Sequence, residues 1–527
     1  MTLDHPRLNT IRQWTGKLLP IGITALLVIV HAATLLSYPA PFVDEGWFGS
    51  RAWAFRTTHQ AFGDLDRGVF DRFPGYWTYF PWIPTCLQSF TFLASTVPKL
   101  APLRVLSLIA GAGLLFALFQ LSRQLGGSLL GWLTVLVVGF SRSFLYSAHL
   151  ARYDIFVAAL GFGAIAISFR TRTVSARRDL FAGLLVSLSF EIHPNGCLFG
   201  PVLLLLYFQE MGFSAVRSRR LWAFVGGIFI GLVLYVLLHV VRYPETWLAI
   251  NRIAGSVTHL PPLLTLQPAT IANSFVGTIR LAEYISPLLL PLAGIAIFYL
   301  WFAGQRRLLL MVLSLPVLHS LLIQHKLAYY AILFAPGIEL TVAFCLLDAC
   351  RRVWKQNLMT DAARIAACAL VLGAMIYAVL PLSTDRSQSY SDVSIKLKQT
   401  IRPGESIMGN QVWWFPFYDH PWYSWEQMHY FRTYRPGASL EEAFREFHPD
   451  ILILDGHLSS FISDHPQGSS YFVQLHLSRT ELERILAARG KLRARFDGGN
   501  YGQISVIALN WERSGSTSHG GPATPQQ

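Results

Sequence analysis

The sequence predicts a polytopic α-helical membrane protein of about eleven transmembrane helices, with interfacial helices in its first external loop and a small aqueous α/β domain at its C-terminal end. Three observations carry this. Of 527 residues, 53% are apolar and only 14% are charged, where a soluble globule carries about a quarter. Several near-uninterrupted apolar runs reach the roughly 20 residues that cross a bilayer. Short Lys and Arg clusters separate those runs, and the chain turns polar after residue 382.

The first run, 18–38, follows a basic tail containing Arg7, Arg12 and Lys17. It resembles a secretory leader but lacks a small-x-small cleavage site, so it reads as an uncleaved first helix. Further spans are expected at about 103–122, 129–147, 155–169, 180–192, 196–209, 221–241, 284–303, 308–324, 327–348 and 363–382. The basic clusters at Arg123, Arg170 to Arg178, Arg217 to Arg220, Arg306 with Arg307, and Arg351 to Lys355 then fall on one side. The positive-inside rule makes that side cytoplasmic, with the N-terminus inside and the C-terminal domain outside, in a plasma or inner membrane. Residues 81–97 are also apolar, but counting them as a span would move the 170–178 loop outside. Trp77, Tyr79, Phe80 and Trp82 favour the headgroup level, so an interfacial or re-entrant helix is expected there.

Residues 1–382 thus form the transmembrane domain and 383–512 an external α/β domain. In the latter, short β-type runs (406–408, Ile451–Leu454, 504–509) alternate with amphipathic helical stretches (Leu440–Phe447, 480–488). Ser439 followed by Glu441 and Glu442 marks a helix start. Residues 513–527, rich in Ser, Gly, Pro and Gln, read as a disordered tail.

The net charge of +13 does not point to nucleic acid, because the cations lie in short clusters between apolar spans. The five cysteines show no CxxC or Cys/His ligand spacing, which gives no support to disulfides or structural zinc.

Four patches fall on the outer side. The first holds Asp44 and Glu45 with Arg51, at the outer end of the first span, where two adjacent carboxylates are costly unless they serve a purpose. Asp44 and Arg51 would share a helical face; the plain alternative is a helix start with Asp44 as cap. The second holds Arg152, Tyr153 and Asp154, where an external Arg suggests an anionic ligand and an Arg–Asp ion pair is the alternative. The third holds His193, Pro194, Asn195 and Gly196; a tight turn explains Asn195 and Gly196, and His193 can bond a phosphate or a carbonyl. The fourth holds Lys326, Tyr329 and Tyr330, which either anchor at the headgroups or bond a lipid phosphate. Carboxylates and cations beside lipid suit transfer of a sugar from a polyprenyl phosphate: a carboxylate takes the acceptor's proton and cations stabilise the departing phosphate.

The ordered set Asp44–Glu45, Arg104, Ala151 to Asp154, His193 to Gly196 and Lys326 to Tyr330 resembles the GT-C membrane glycosyltransferases, in particular bacterial relatives of the aminoarabinose lipid A transferases and protein O-mannosyltransferases. The resemblance covers about residues 15–382. It implies an inverting transfer from a polyprenyl-phosphate sugar donor to an extracytoplasmic lipid, glycan or protein acceptor. In that scheme Asp44 is the catalytic carboxylate, Glu45 holds the acceptor and Asp154 is the second acidic group. Arg51, Arg152, His193, Lys326, Tyr329 and Tyr330 serve the donor phosphate. No cofactor is firmly implied, although carboxylates can ligate Mg or Mn. The sequence departs from the family where Gly46 and Trp47 follow Asp44–Glu45, and where Tyr79, Phe80, Pro81 and Trp82 replace the family's Lys-Pro-Pro or His-Pro-Pro element. The Trp413–Tyr418 and Trp422–Trp425 stretches would either stack on sugars or dock the domain on the membrane. The rival reading is a transporter or lipid flippase, which would place ionisable groups near the bilayer midplane.

Overall fold

The computed structural model describes residues 6–60, 62–68, 73–75, 81–169, 175–257, 261–355, 390–465 and 475–511. The expected last span at 363–382, the boundary at residue 382, the 513–527 tail, Trp77, Tyr79, Phe80 and residues 170–174 lie outside them.

The membrane part opens with α1 (Pro6–Thr34), α2 (Val43–Thr58), α3 (Trp82–Phe90), α4 (Leu100–Gly126), α5 (Ser128–Gly139), α6 (Arg142–Ala148), α7 (Asp154–Ser168) and α8 (Ala176–Ile192). It continues through α9 (Phe199–Met211), α10 (Arg219–Tyr235), α11 (Pro244–Val257), α12 (Pro262–Thr265), α13 (Pro268–Ile285), α14 (Leu289–Phe302), α15 (Arg306–Leu322) and α16 (Ala335–Lys355). The 27 residues of α4 rise about 40 Å, more than the roughly 30 Å hydrocarbon core. Among the described residues, Leu100–Gly126, Pro194–Arg217 and Arg219–Val240 are long and apolar enough to cross a membrane alone. Phe229, Leu234, Leu237, Phe298, Trp301 and Phe302 are exposed, an apolar surface that belongs against lipid tails rather than water.

Two expected spans are bent. The 129–147 span is α5 and α6 at 67°, and the 284–303 region is α14, turned 109° from α13. At the first bend the Ser141 hydroxyl caps a new helix by accepting from Phe144 N at 3.3 Å; at the second, Pro287 follows Ser286 and stops α13. The helices α11 and α13 occupy a region the sequence reading leaves as a connection. In α13, Leu281, Ala282 and Ile285 are buried while Val276 and Ile279 are exposed, and Asn273, Arg280 and Glu283 break the apolar run by which hydropathy recognises a span. The 81–97 stretch contains α3, nine residues long, about 13 Å of helix and too short to cross.

Small residues let the spans approach closely. A side chain at Gly183 or Gly227 would overlap backbone of the facing helix, and one at Gly231 would overlap Ser187, so α8 and α10 cross nearly backbone to backbone.

The C-terminal domain contains α17 (Tyr390–Thr400), β1 (Ile407–Gly409), β2 (Trp422–Ser424), α18 (Glu426–Tyr434), α19 (Leu440–Phe447), β3 (Ile451–Leu454), α20 (Gly456–Ser460), α21 (Arg479–Arg489), β4 (Gly490–Asp497) and β5 (Gln503–Leu509). The sheet order is β2-β1-β3-β5-β4, with β2, β1 and β3 parallel and β3, β5 and β4 antiparallel. Ser439 caps α19 reciprocally: its hydroxyl accepts from Glu442 N at 3.2 Å, and Glu442 Oε2 accepts from Ser439 N at 2.7 Å.

Neither sequence-based expectation for the aromatic stretches fits the fold. Trp413, Trp414, Trp422 and Trp425 are at most 1% exposed, so their faces are not open to a sugar. Trp413, Trp414 and Trp422 share a core with Ala52 of α2, Leu103 of α4 and Phe92. They therefore seat the domain on the first loop rather than on lipid.

Candidate active site

The centre of the site is a buried ion pair. Glu45, in the first turn of α2, is fully enclosed and accepts from Arg104 Nε at 2.8 Å and Nη2 at 2.7 Å. The second Arg104 terminal nitrogen donates to the carbonyls of Leu35 at 2.8 Å and Pro39 at 3.0 Å. Glu45 also accepts from Phe42 N at 2.8 Å and Ala151 N at 2.7 Å. One side chain thus joins the end of α1, the start of α2, the span α4 and the loop carrying Arg152. With both oxygens taken, Glu45 has no free acceptor for a substrate, and its geometry is that of a bolt.

The bolt sets the position of its neighbour Asp44, whose side chain keeps 30% exposure. Asp44 pairs with Arg152 Nη1, not with Arg51. Arg152 Nε also donates to Asp154 Oδ2 at 2.9 Å, and the guanidinium lies over the Tyr329 ring, 3.6 Å from its centroid. Burial opposes the charge of Arg152, yet Tyr329, Asp154 and Tyr330 outweigh it and hold the pKa above the usual value. Asp154 starts α7, is 1% exposed, and has a buried Oδ1 with no hydrogen-bond partner. Two carboxylates on one guanidinium leave a local charge of −1, with Asp44 the more accessible.

The remaining candidates separate into two groups. His193 lies beside Tyr330, ring centroids 5.9 Å apart, and is lowered by burial, with Asp154 and Arg152 as its nearest charges. Its Nδ1 accepts from Asn195 N at 3.2 Å, which fixes the turn. Tyr329 and Tyr330 are buried in a short 3-10 turn, and the Tyr329 carbonyl accepts from Ser147 Oγ at 2.9 Å. These residues surround Arg152. Two others do not reach it. Arg51 is 6% exposed and bidentate to Asp66, at 3.0 Å from Nε and 2.8 Å from Nη2. Lys326 is half-buried, and its ammonium donates to the carbonyls of His319, at 3.1 Å, and Ile323. Burial pulls its pKa down to about 7.

Two residues of this arrangement escape the sequence reading. Asp66 takes one oxygen to Trp47 Nε1 at 2.6 Å and the other to Gly63 N at 2.9 Å, besides Arg51. Its signal is an acid in the same loop as an otherwise unmatched Arg. Phe42 packs between Tyr329, at 5.6 Å, and the C-terminal domain; nothing local marks it. Asp44 and Asp154 share Arg152, and the described residues hold no group of three or more His, Cys, Asp or Glu able to bind a metal.

No protein-family model matches the sequence, and no curated protein matches it. Solved structures do. The chain is similar to ArnT from Cupriavidus metallidurans bound to undecaprenyl phosphate, with a TM-score of 0.59 at 12% identity, covering 94% of this chain and 98% of that one. It is also similar to the Archaeoglobus fulgidus oligosaccharyltransferase tethered with an acceptor peptide, with a TM-score of 0.55 at 10% identity, covering 95% and 75%. A third match is Archaeoglobus fulgidus AglB in complex with an inhibitory peptide and a dolichol-phosphate, with a TM-score of 0.52 at 10% identity, covering 93% and 74%. At identities this low, the likeness over nearly the whole chain is one of architecture: the chain has the multi-pass GT-C fold, C-terminal domain included.

Proposed function

We propose that the chain transfers a glycosyl group, with inversion, from a polyprenyl-phosphate-linked donor to a hydroxyl or amine of an extracytoplasmic lipid, glycan or protein. The observation that carries the reading is Asp44 held partly exposed by Arg152, beside a buried Asp154, on a loop that the C-terminal domain touches. Likeness of fold to ArnT and AglB, solved with undecaprenyl phosphate and a dolichol-phosphate, supports a lipid-phosphate donor.

Asp44 acts as general base. Its carboxylate accepts the proton of the acceptor as the nucleophile attacks the anomeric carbon from the face opposite the phosphate. The bond to the phosphate oxygen breaks with its electron pair and the polyprenyl phosphate leaves without protonation. Arg152 orients Asp44 and, with the Tyr330 hydroxyl, offers donors toward the leaving phosphate. Lys326, whose ammonium donates to the carbonyls of His319 and Ile323 and to no carboxylate among the described residues, serves as a further cation for the lipid phosphate beside Arg152. Glu45 with Arg104, and Arg51 with Asp66, position the loop and do not touch substrate.

The test is donor consumption by the purified chain in lipid nanodiscs, offered a panel of polyprenyl-phosphate sugars, with wild type and Asp44→Asn compared. Wild type should consume one donor and Asp44→Asn should lose about 10²–10⁴ of the rate. Equal consumption by both removes the assignment of Asp44, and solute uptake into vesicles without donor consumption favours a transporter.

A further inference from the structure

Three turns of the C-terminal domain end on the residues around Asp44. After β1, the Gln411 carbonyl occupies the place where a side chain at Gly46 would lie. After β3, the His457 ring packs edge-on against Phe42, with centroids 6.5 Å apart at 70°. Between β4 and β5, the Tyr501 hydroxyl donates to the Pro41 carbonyl at 3.3 Å. The first two turns leave the carboxyl ends of parallel strands, the edge where an open α/β sheet ordinarily receives a ligand. Here that edge receives residues 41–46.

The turns are tied into one base. Buried Asp455 accepts from Asn410 Nδ2 at 3.0 Å, from Trp413 Nε1 at 3.0 Å and from Leu458 N at 2.8 Å, which joins the Gln411 turn to the His457 turn. Trp413 and Tyr501 meet ring to ring at 4.6 Å, which brings in the third. Beyond Phe42 stand Tyr329 at 5.6 Å and the Arg152 guanidinium at 6.0 Å. Phe42 is therefore a wedge with His457 on one side and the partners of Asp44 on the other. Its backbone N is bolted to Glu45, so a shift of the ring moves the chain that carries Asp44.

We propose that His457 is a positioning residue for the transfer reaction: through Phe42 it holds the 41–46 turn so that Asp44 stays on Arg152, which makes the C-terminal domain part of the active site rather than an appendage. This rests on the reading of Asp44 as the base. Burial lowers the His457 pKa to about 4, so the ring is neutral at ordinary pH and acts by shape. Phe461 packs edge-on against the same ring, with centroids 5.2 Å apart, and helps to fix its angle.

The experiment compares the full chain with His457→Ala and His457→Phe in nanodiscs, by two readouts. Hydrogen exchange of the amides at 42–46 should speed up in His457→Ala and return to the wild-type rate in His457→Phe, with the rest of the chain unchanged. Donor turnover should show kcat lowered about ten-fold in His457→Ala with donor KM within about two-fold, and restored in His457→Phe. Unchanged exchange at 42–46 in His457→Ala overturns the proposal whether or not the chain is a transferase. So does a loss in His457→Ala that His457→Phe fails to restore. If exchange responds as stated but wild type consumes no donor, the clamp stands and the transferase reading fails.

Discussion

Arg104 of the second long helix closes both carboxylate oxygens of Glu45, 59 residues earlier in the chain, at 2.8 and 2.7 Å with neither side chain exposed. Removing one partner of such a pair leaves a buried, uncompensated charge. Arg104→Met is expected to destabilise the folded chain by about 3–5 kcal/mol, and adding Glu45→Gln should recover part of the loss because the orphaned charge goes with it. Thermal unfolding in detergent reads both, and a double variant no more stable than Arg104→Met would contradict the pairing.

The stack of Arg152 on Tyr329, at 3.6 Å, predicts a split between two replacements. Tyr329→Phe keeps an aromatic face and should hold kcat close to wild type, while Tyr329→Leu should lose about 1–2 kcal/mol of cation–π orientation, roughly a 5- to 30-fold drop in kcat. Donor turnover at saturating donor separates them.

Lys326 gives a pH dependence with a defined sign. Burial depresses its pKa from 10.5 to about 7, so the ammonium is charged below about 7 and neutral above it. Donor KM should therefore be low at acid pH and rise as pH climbs through that value. Lys326→Arg, which stays charged, should flatten the rise, and KM measured from pH 6 to 9 checks it.

Acid should unfasten the C-terminal domain at its sheet edge. Glu405 accepts from Arg493 at 2.7 and 2.6 Å and from Arg402 N at 2.8 Å; partial burial works the other way, but these bonds hold its pKa below the usual carboxylate value. A depressed carboxylate contributes stability above its unfolded pKa and loses it as pH falls through the folded one. Glu405→Gln should flatten the acid limb of the domain's thermal unfolding curve while lowering the neutral plateau.

What the sequence made legible follows from the range of the interactions. The long apolar runs announce α4 and α10, and the Ser439–Glu442 cap announces α19, because each signal lies within the element itself. Asp44, Arg152 and Asp154 stand out as charges beside hydrocarbon, and the fold brings those three together. The same logic misdirects Arg51, since its partner Asp66 looks like an ordinary loop acid until the loop closes. The edge strand β4 is missed although Leu492, Ala494 and Phe496 alternate with Lys491, Arg493 and Arg495, because so charged a run is poor in the β-branched and aromatic residues by which a strand is recognised. Phe42 and His457, 415 positions apart in the chain, share no local pattern at all.

The bond from the Tyr501 hydroxyl to the Pro41 carbonyl spans 460 residues, and it bears on biogenesis. The chain through Tyr501 must leave the ribosome before its first loop acquires its final neighbours, so helical spans insert long before the loop is completed. A nascent chain halted after its membrane segments would present α2 with Gly46 and Gly49 bare of the turn that covers them, a surface open to chaperones and proteases. Maturation of the loop thereby waits on synthesis of the C-terminal domain.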